Sequence, residues 1–247
     1  MKIGLIGAGK IAFSLATELI RNGHEVVFAY SRGKTSQPFD TLAVPSVQHL
    51  NADDIRSVNL MVEAASAQAL HEHGLAVLAQ TDLAILSTTA LADLEFERAV
   101  RERGAAAGTK VHVLAGGMVG LDGAASVSGY IKSLVITTTK TPAAWGIDAH
   151  AGTQTLFEGS TREACVKYPR NVNVHAGLAY SSIGFDRCRS ILVSDPHAHV
   201  LSQKVEVVSE DFGWTIDLYS RHIGGVSGSL TPRSVLGSVL RILSSAA

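Results

Sequence analysis

Apolar runs alternate with helical patterns along the first 115 residues of the chain, roughly its first half. Buried strands of a parallel sheet are nearly continuous apolar runs, whereas amphipathic helices repeat their apolar residues about every 3.6 positions. The runs predict strands at residues 2–6, 25–30, 59–63, 83–87 and 110–114, with helices at 10–21, 67–78 and 92–103. Strands that alternate with helices in this way predict an α/β domain, a doubly wound parallel sheet with helices on both faces.

Glycines and polar residues separate these predicted elements. Gly23 and Gly104 lie where glycines commonly end helices, after residues 21 and 103. Residues 32–54 are polar and contain prolines, which predicts an irregular connection with little regular structure.

The pattern changes after Leu114. Apolar and polar residues alternate at 130–139, as expected for a strand with one exposed face. Further strands are predicted at 187–194, 204–208 and 214–218, with helices at 161–167 and 173–183. We therefore predict two domains, at residues 1–114 and 115–230, the second of them α+β. A last amphipathic helix at 231–243 begins the segment 231–247, which we expect to pack back on the first domain.

Composition limits the classes of protein that fit this pattern. Hydrophobic residues make up 46% of the 247 positions and charged residues 17%, so an ample core is available. A net charge of −1 argues against nucleic-acid or anionic-membrane binding. No apolar run approaches the roughly 20 residues of a membrane span, and no signal-peptide pattern is present. We expect a cytoplasmic protein.

The cysteines and histidines do not suggest a disulfide or a metal site. Cys165 and Cys188 are distant in sequence and form no CxxC pattern, so buried thiols in a reducing compartment are expected. The ten histidines do not fall at metal-ligand spacing, and no metal is predicted.

A glycine-rich turn follows the first predicted strand. Gly7, Gly9 and Ala12 form a G-x-G-x-x-A pattern between this strand and the first predicted helix. A dinucleotide pyrophosphate needs a tight turn, a bare backbone and the amides of a helix N-terminus at one place. The turn therefore predicts a Rossmann domain whose cofactor contacts include Gly7, Gly9, Lys10 and Ile11.

The residues after the second strand bear on the choice of cofactor. An Asp or Glu at this place binds the ribose hydroxyls of NAD, but here Ser31 and Arg32 follow the strand and Lys34 is close by. A hydroxyl with two cations is typical of 2′-phosphate binding, which favours NADP and leaves NAD open. The alternative is that Arg32 and Lys34 are solvated loop charges.

Small and hydroxyl residues follow the next two predicted strands. Ala65 and Ser66 come after residues 59–63, and Ser87 and Thr88 lie at the end of 83–87. Ligands of open α/β sheets bind at the carboxyl ends of the strands, so these four residues are candidate cofactor contacts near the nicotinamide. Ser and Thr are also common helix N-caps, which is the structural alternative.

Several segments, in order along nearly the whole chain, resemble the L-aspartate dehydrogenase family. They are VEAAS at 62–66, STTALAD at 87–93, LAGGMVGLD at 114–122, FEGS at 157–160, YPRNVNV at 168–174 and SDP at 194–196. The resemblance implies a Rossmann domain, an α+β substrate and dimerisation domain, a homodimer, and reversible oxidative deamination with NAD(P).

The sequence departs from the family at the proposed catalytic segment. The family reads A-D-P, four residues, then N-x-H, with the histidine as the proposed catalytic group. Here the asparagine is replaced by Leu201 and the histidine by Gln203, and a late N-P-x-T-S becomes LTPRS at 230–234. Glutamine can hydrogen-bond a carboxylate or carbonyl but cannot exchange a proton near neutral pH.

Other residues are candidates for the proton exchange and the substrate binding that the site requires. His199 is the first choice among the histidines, with His197, His175 and His222 as alternatives, each of which can equally be structural. Asn171 is a candidate catalytic residue beside His199 and Gln203, and Asn173 a candidate cofactor contact, although asparagines also cap helices. Candidate cations for a dicarboxylate are Lys140, where the family also places a lysine, Arg170, Lys204, Arg221 and Arg233.

Three functional hypotheses remain open at this point. The first is an NAD(P)-dependent amino acid dehydrogenase or imine reductase, whose small-molecule substrate is an amino acid, imine or keto acid other than plain aspartate. The second is an NADP(H)-binding protein with impaired catalysis. The third is a true L-aspartate dehydrogenase that uses a displaced histidine, His199.

Overall fold

The chain divides into two compact units. The computed structural model describes residues 1–33, 37–221, 223 and 228–245. One unit comprises Met1–Leu114 with Pro232–Ala247, and the other comprises Ala115–Thr231. None of the helices in the described residues is long and apolar enough to cross a membrane.

The first unit contains a six-stranded parallel sheet. Its strands are β1 (Lys2–Ile6), β2 (Glu25–Tyr30), β3 (Ser46–Val47), β4 (Leu60–Glu63), β5 (Asp82–Ile85) and β6 (Val111–Val113). They lie in the order β3-β2-β1-β4-β5-β6, and every pair is parallel. This is the strand order of a Rossmann domain, and it confirms the predicted fold class. The order reverses between β1 and β4, the place where such sheets bind ligands.

Helices connect these strands. They are α1 (Lys10–Arg21), α2 (Ala52–Arg56), α3 (Ala67–Leu78) and α4 (Leu94–Ala107). The segment predicted to be irregular, 32–54, contains short regular elements: a 3₁₀ turn at Phe39–Leu42, β3 and the start of α2. Asn51 begins α2 with a capping box, in which its side chain accepts from the amides of Asp53 and Asp54.

The predicted end of α4 at Gly104 was wrong. The helix continues to Ala107 and ends at Gly108, whose φ of +69° is left-handed. Gly104 lies inside the helix, and a Cβ at this position would come within 2.9 Å of the Thr109 carbonyl oxygen. Close backbone approach, rather than helix termination, therefore explains this glycine. Gly23 does follow the end of α1, with φ of +78°.

The second unit is built on a five-stranded mixed sheet. Its elements in chain order are α5 (Leu121–Ser126), β7 (Ser133–Lys140), α6 (Pro142–Trp145), β8 (Gln154–Ser160), α7 (Thr161–Lys167), α8 (Asn173–Ser181), β9 (Cys188–Ser194), β10 (Leu201–Val208) and β11 (Gly213–Ser220). The strand order is β11-β10-β7-β9-β8, with β7 and β9 parallel and the other pairs antiparallel. Strand β8 was not predicted from the sequence; Phe157 is its one buried residue.

One face of this second sheet is buried and the other is more open. Burial alternates residue by residue along β7, β9 and β10, as the period of two requires. The buried face carries polar as well as apolar side chains, among them Thr138, Lys140, Ser190, Ser194 and Gln203. Cys165 and Cys188 are free and buried, as predicted, and burial raises the pKa of each thiol to about 12.

The last helix, α9 (Leu230–Ser245), belongs for most of its length to the first unit. Its Val235, Val239 and Leu243 are buried in the same cluster as Ile3 and Leu5 of β1. Their spacing of four residues places them on one helix face, so α9 completes the core around β1.

Candidate active site

The glycine turn after β1 has the geometry that a pyrophosphate requires. Gly7 has a φ of +117°, and a Cβ there would lie 2.7 Å from the Ala64 carbonyl oxygen. Its amide donates to the Tyr30 carbonyl at 2.9 Å, which ties the turn to β2. Only glycine fits this position without strain.

Gly9 differs from Gly7 because it faces open space. It immediately precedes α1 without a side-chain cap, and a Cβ there would meet nothing within 4 Å. Lys10, which is exposed, and Ile11, which is half-buried, begin the helix. The residues present therefore fit a dinucleotide: Gly7 shapes the turn, and the first amides of α1 would hold the pyrophosphate. The nicotinamide of such a cofactor supplies hydride transfer.

Glu63 joins the loops after β4 and β5. Its carboxylate is fully buried and accepts hydrogen bonds from the amides of Ala65 (2.7 Å), Leu86 (3.3 Å) and Ser87 (2.9 Å). The Ser87 hydroxyl donates a fourth, at 2.8 Å. Burial raises the pKa of the Glu63 carboxyl, while these donors oppose the rise. Glu63 was not among the predicted site residues; an acid at the end of a buried strand was the available signal.

The candidate contacts in these loops have different surroundings. Ala65 is exposed, whereas Thr88 is buried. Ser66 caps α3, because its hydroxyl accepts a hydrogen bond from the Ala69 amide at 3.2 Å. The alternative role of Ser66 as a helix N-cap is therefore present. Ser87 makes no such cap, since its hydroxyl is directed at Glu63.

Arg32 lies beside α3. Its guanidinium contacts Gln68 Oε1 at 3.5 Å and Glu72 Oε2 at 4.0 Å, and just over half of its side chain is exposed. Ser31, half-buried, is fixed by its amide, which donates to the Val47 carbonyl at 2.9 Å. Arg32 is available to an anion, although Glu72 competes for it. Lys34 lies outside the described residues.

A buried lysine ends β7 in the second unit. Lys140 is 2% exposed, and its Nζ donates to Asn171 Oδ1 at 3.2 Å. The same Nζ lies 4.5 Å from the centre of the Trp145 ring. Among the described residues it has no ion-pair partner, and burial lowers the pKa of its ammonium to about 8. A lysine with this pKa changes its charge close to neutral pH.

Gln203 lies on the same buried face as Lys140. It stands in β10 opposite Thr138 of β7 and Leu218 of β11, and it is 6% exposed. Within the described part of the chain, its Oε1 is buried and has no hydrogen-bond donor. An unsatisfied buried acceptor is costly, so this atom marks a place where a ligand donor would be stabilising.

His175 is a satisfied core residue. It is fully buried on α8, where Nε2 contacts Thr138 Oγ1 at 2.7 Å and Nδ1 contacts Ser190 Oγ at 2.9 Å. Ser190 Oγ in turn contacts Thr161 Oγ1 at 2.8 Å. Burial, together with the charge of Lys140, lowers the pKa of His175 to about 3. It is therefore neutral at physiological pH and suits a structural role.

The two other candidate histidines that the structure describes are exposed. His197 and His199 are exposed in the loop between β9 and β10. Asp195 Oδ1 accepts from the His197 amide at 2.9 Å, which orders the start of this loop. His222 is outside the described residues.

Of the five candidate cations, Lys140 is the buried one. Arg170, Arg221 and Arg233 are exposed. Lys204 lies on the opposite face of β10 from Gln203 and pairs with Glu206 at 2.7 Å. Asn171 and Asn173 are half-buried, and Asn173 is the first residue of α8.

Comparison with known proteins identifies the family. The profile of the family described as "Aspartate dehydrogenase, C-terminal" matches residues 122–242, and that of "Homoserine dehydrogenase, NAD binding domain" matches residues 7–114. The L-aspartate dehydrogenase of Serratia proteamaculans is 31% identical, over 88% of this chain and 87% of its own. The chain belongs to the L-aspartate dehydrogenase family. This confirms the resemblance seen in the sequence.

A second relative and one solved structure agree with this membership, and a further structure shares the fold. The L-aspartate dehydrogenase of Archaeoglobus fulgidus is 37% identical, over 74% of this chain and 72% of its own. The crystal structure of aspartate dehydrogenase from Thermotoga maritima superimposes with a TM-score of 0.80 and 26% identity, covering 100% of this chain and 96% of that one. A homoserine dehydrogenase from Thiobacillus denitrificans shares the fold alone, with a TM-score of 0.61 and 14% identity over 100% of this chain and 74% of that one.

Its membership of the family establishes the general activity of this protein. It is an NAD(P)-dependent dehydrogenase with a small-molecule substrate. No cluster of three or more potential metal ligands occurs among the described residues.

Proposed function

We propose that this protein transfers hydride between NADP(H) and an amino acid, or its imine or keto acid, and that plain aspartate is not the preferred substrate. The supporting observation is Gln203, which stands where the family pattern has its proposed catalytic histidine. Gln203 is buried on the face that carries Lys140, and its Oε1 has no donor among the described residues. Glutamine in place of histidine at this position alters both the proton transfer and the contacts with the substrate.

Glutamine suits some reactions of this class better than others. It can hydrogen-bond a substrate nitrogen, carboxylate or carbonyl, but it cannot take up or release a proton near neutral pH. Reduction of a preformed imine needs less acid–base chemistry than hydrolytic deamination does. The replacement therefore favours an imine or keto-acid substrate with a side chain other than that of aspartate.

The test is a substrate panel in both directions. The protein is incubated with NADPH, ammonia and a series of 2-keto acids, with preformed cyclic imines, and with NADP⁺ or NAD⁺ and a series of L-amino acids. We expect turnover of at least one substrate with a higher kcat/KM than for oxaloacetate or aspartate. Absence of turnover on every carbonyl, imine and amino acid would contradict the proposal.

The second candidate function is cofactor binding without catalysis. It is favoured by the same replacement, because a chain that has lost its proton donor can keep the glycine turn around Gly7. Tight NADPH binding, measured by the quenching of protein fluorescence, together with no turnover in the panel would support this alternative.

The third candidate is L-aspartate dehydrogenase activity that uses a displaced histidine. His199 lies in the loop that leads into β10, two residues before the strand begins. Loss of aspartate turnover in His199→Ala, with NADPH affinity unchanged, would support it. Retained activity in that variant excludes His199 as the proton donor.

Narrower predictions accompany the main proposal. NADP is proposed as the preferred cofactor because Arg32 follows β2 and no acid directly follows that strand. Homodimerisation follows from the family resemblance, and sedimentation equilibrium measures it. A cytoplasmic location also stays a prediction, as do residues 1–114 as the cofactor domain and 115–230 as the substrate domain.

A further inference from the structure

Two polar side chains on the buried face of the second unit's sheet, Lys140 and Gln203, differ in the hydrogen bond that they offer to a ligand. Lys140 offers N–H donors at the end of β7, and Gln203 offers on β10 an acceptor that no donor of the described residues satisfies. Ser202 pairs with Thr139 and Gln203 with Thr138, so Lys140 and Gln203 are close diagonal neighbours on one face. A donor and an acceptor in this arrangement fit a group that can both give and receive a hydrogen bond.

The nitrogen of an amino acid is such a group. As an ammonium it donates, and as a free amine it also accepts. Deamination needs the free amine, because the lone pair of nitrogen must be available when hydride leaves the adjacent carbon. A proton acceptor is therefore required, and Gln203 cannot be that acceptor.

We infer that Lys140 exchanges a proton with the substrate nitrogen and that Gln203 Oε1 accepts a hydrogen bond from that nitrogen. The inference rests on the proposed function, since it needs an amino acid as substrate. In the step itself, an N–H bond of the substrate ammonium breaks and an N–H bond forms at Nζ of neutral Lys140. The substrate becomes a neutral amine, Lys140 becomes an ammonium, and nothing is oxidised or reduced.

The surroundings of Lys140 allow this exchange. Asn171 Oδ1 and the Trp145 ring both stabilise the ammonium form, while burial disfavours it. Burial lowers the pKa of Lys140 to about 8, which is suited to proton exchange near neutral pH.

Other titratable groups lie near Lys140. His175 on α8 has a pKa lowered to about 3 and is held by Thr138 and Ser190. His150, before β8, contacts the hydroxyl of Ser194, which is the β9 partner of Lys140. Asp195 follows β9, and its amide donates to the Lys140 carbonyl at 2.9 Å.

The first arm of the experiment measures the titration of Lys140 without turnover. The protein is labelled with carbon-13 at lysine Cε, and the Lys140 resonance is assigned by its absence in Lys140→Arg. We expect a midpoint near pH 8 for Lys140, well below the value of about 10.4 that an unperturbed lysine side chain has. A midpoint at the ordinary value would overturn the inference.

The second arm compares kcat at saturating substrate across pH, so that ionisation of the free substrate does not contribute. Wild-type deamination should rise with pH through about 8, and the reverse amination should fall over the same range. The Lys140→Arg variant stays cationic at this position. Its kcat should be lower than that of wild type by about a hundredfold or more, and it should lack this dependence on pH. The matched control Lys132→Arg, at an exposed lysine immediately before β7, should behave as wild type.

The outcomes separate the inference from the proposed function. NADPH affinity checks that each variant is folded, and Lys140→Met is the second variant if Arg does not fit. If wild type turns over an amino acid and the Lys140 variants keep its kcat and pH limb, Lys140 is not the proton-exchange group. If wild type turns over nothing in the panel, the proposed function fails, and the proton-exchange role with it.

Discussion

The Glu63 carboxylate binds Ser87 twice, through its amide at 2.9 Å and through its hydroxyl at 2.8 Å. Glu63 ends β4 and Ser87 follows β5, so this contact joins two neighbouring loops at the carboxyl edge of the parallel sheet. The Ala65 amide adds a third bond from the β4 loop itself. A buried carboxyl group inside the unit thus fixes the loops that we expect to face the nicotinamide.

Replacing Glu63 by glutamine should weaken cofactor binding. One carboxylate oxygen would become an NH₂ group that faces backbone amides, and a buried donor would then oppose a donor at a cost of about 1–3 kcal/mol. We expect a lower Tm and a rise in the NADPH Kd of about tenfold, measured by differential scanning calorimetry and fluorescence titration.

Asn51→Ala is the matched control for this variant. It removes only the N-cap of α2, which costs about 1 kcal/mol of stability, and it leaves the Glu63 contacts in place. It should lower Tm with a smaller effect on Kd. Equal losses of affinity in the two variants would show that Glu63 acts only through overall stability.

The two glycines of the first turn should respond differently to alanine. Gly7→Ala places a Cβ 2.7 Å from the Ala64 carbonyl oxygen at a φ of +117°, so we expect a loss of several degrees in Tm as well as of cofactor binding. Gly9→Ala meets nothing within 4 Å, so Tm should stay near the wild-type value.

Cofactor affinity completes this comparison. The open space over Gly9 is where a pyrophosphate would approach, so Gly9→Ala should still raise the NADPH Kd by about tenfold or more. Unchanged affinity in Gly9→Ala would place the pyrophosphate elsewhere.

Most of the first unit was predictable because its signals are local. Each buried strand is a continuous apolar run, and α1 and α3 repeat their apolar residues at helical spacing, so their bounds were correct. Gly104 was misread because its reason is non-local: the Thr109 carbonyl approaches it across the next turn. β8 was missed because most of its residues are not buried, which leaves no alternating pattern to detect.

The candidate site also contains features that could be predicted from the sequence and features that could not. The glycine turn was visible because three requirements of a pyrophosphate meet in one short stretch of sequence. The burial of Lys140 and the unsatisfied oxygen of Gln203 were not, because they depend on which strands become neighbours in the second sheet. The role of Glu63 likewise depends on the pairing of β4 with β5.

Arg32 provides a test of cofactor preference. If its guanidinium binds a 2′-phosphate, Arg32→Ala should raise the Kd for NADPH by about tenfold and leave the Kd for NADH nearly unchanged. Glu72→Gln removes the acid 4.0 Å from Arg32 and should strengthen NADPH binding slightly. Equal changes for both cofactors in Arg32→Ala would support the alternative that Arg32 is a solvated loop charge.

Lys140 should make the stability of the protein depend on pH. Its folded pKa of about 8 lies below the unfolded value of about 10.4, so between these values the unfolded state binds more protons and stability rises with pH. Below about pH 8 the charged lysine costs the folded state up to about 3 kcal/mol. Lys140→Met removes that cost, although it also removes the hydrogen bond to Asn171.

We therefore expect Lys140→Met to be more stable than wild type at about pH 7, by about 1–3 kcal/mol, with the difference shrinking as pH rises towards about 10. Urea unfolding of both proteins across this range measures it, and the titrations of all other groups cancel in the difference. Lys132→Met, at an exposed lysine, should show no such trend. A constant difference between Lys140→Met and wild type at every pH would mean that the Lys140 ammonium is fully solvated. In that case it would titrate like any surface lysine and could not exchange protons near neutral pH.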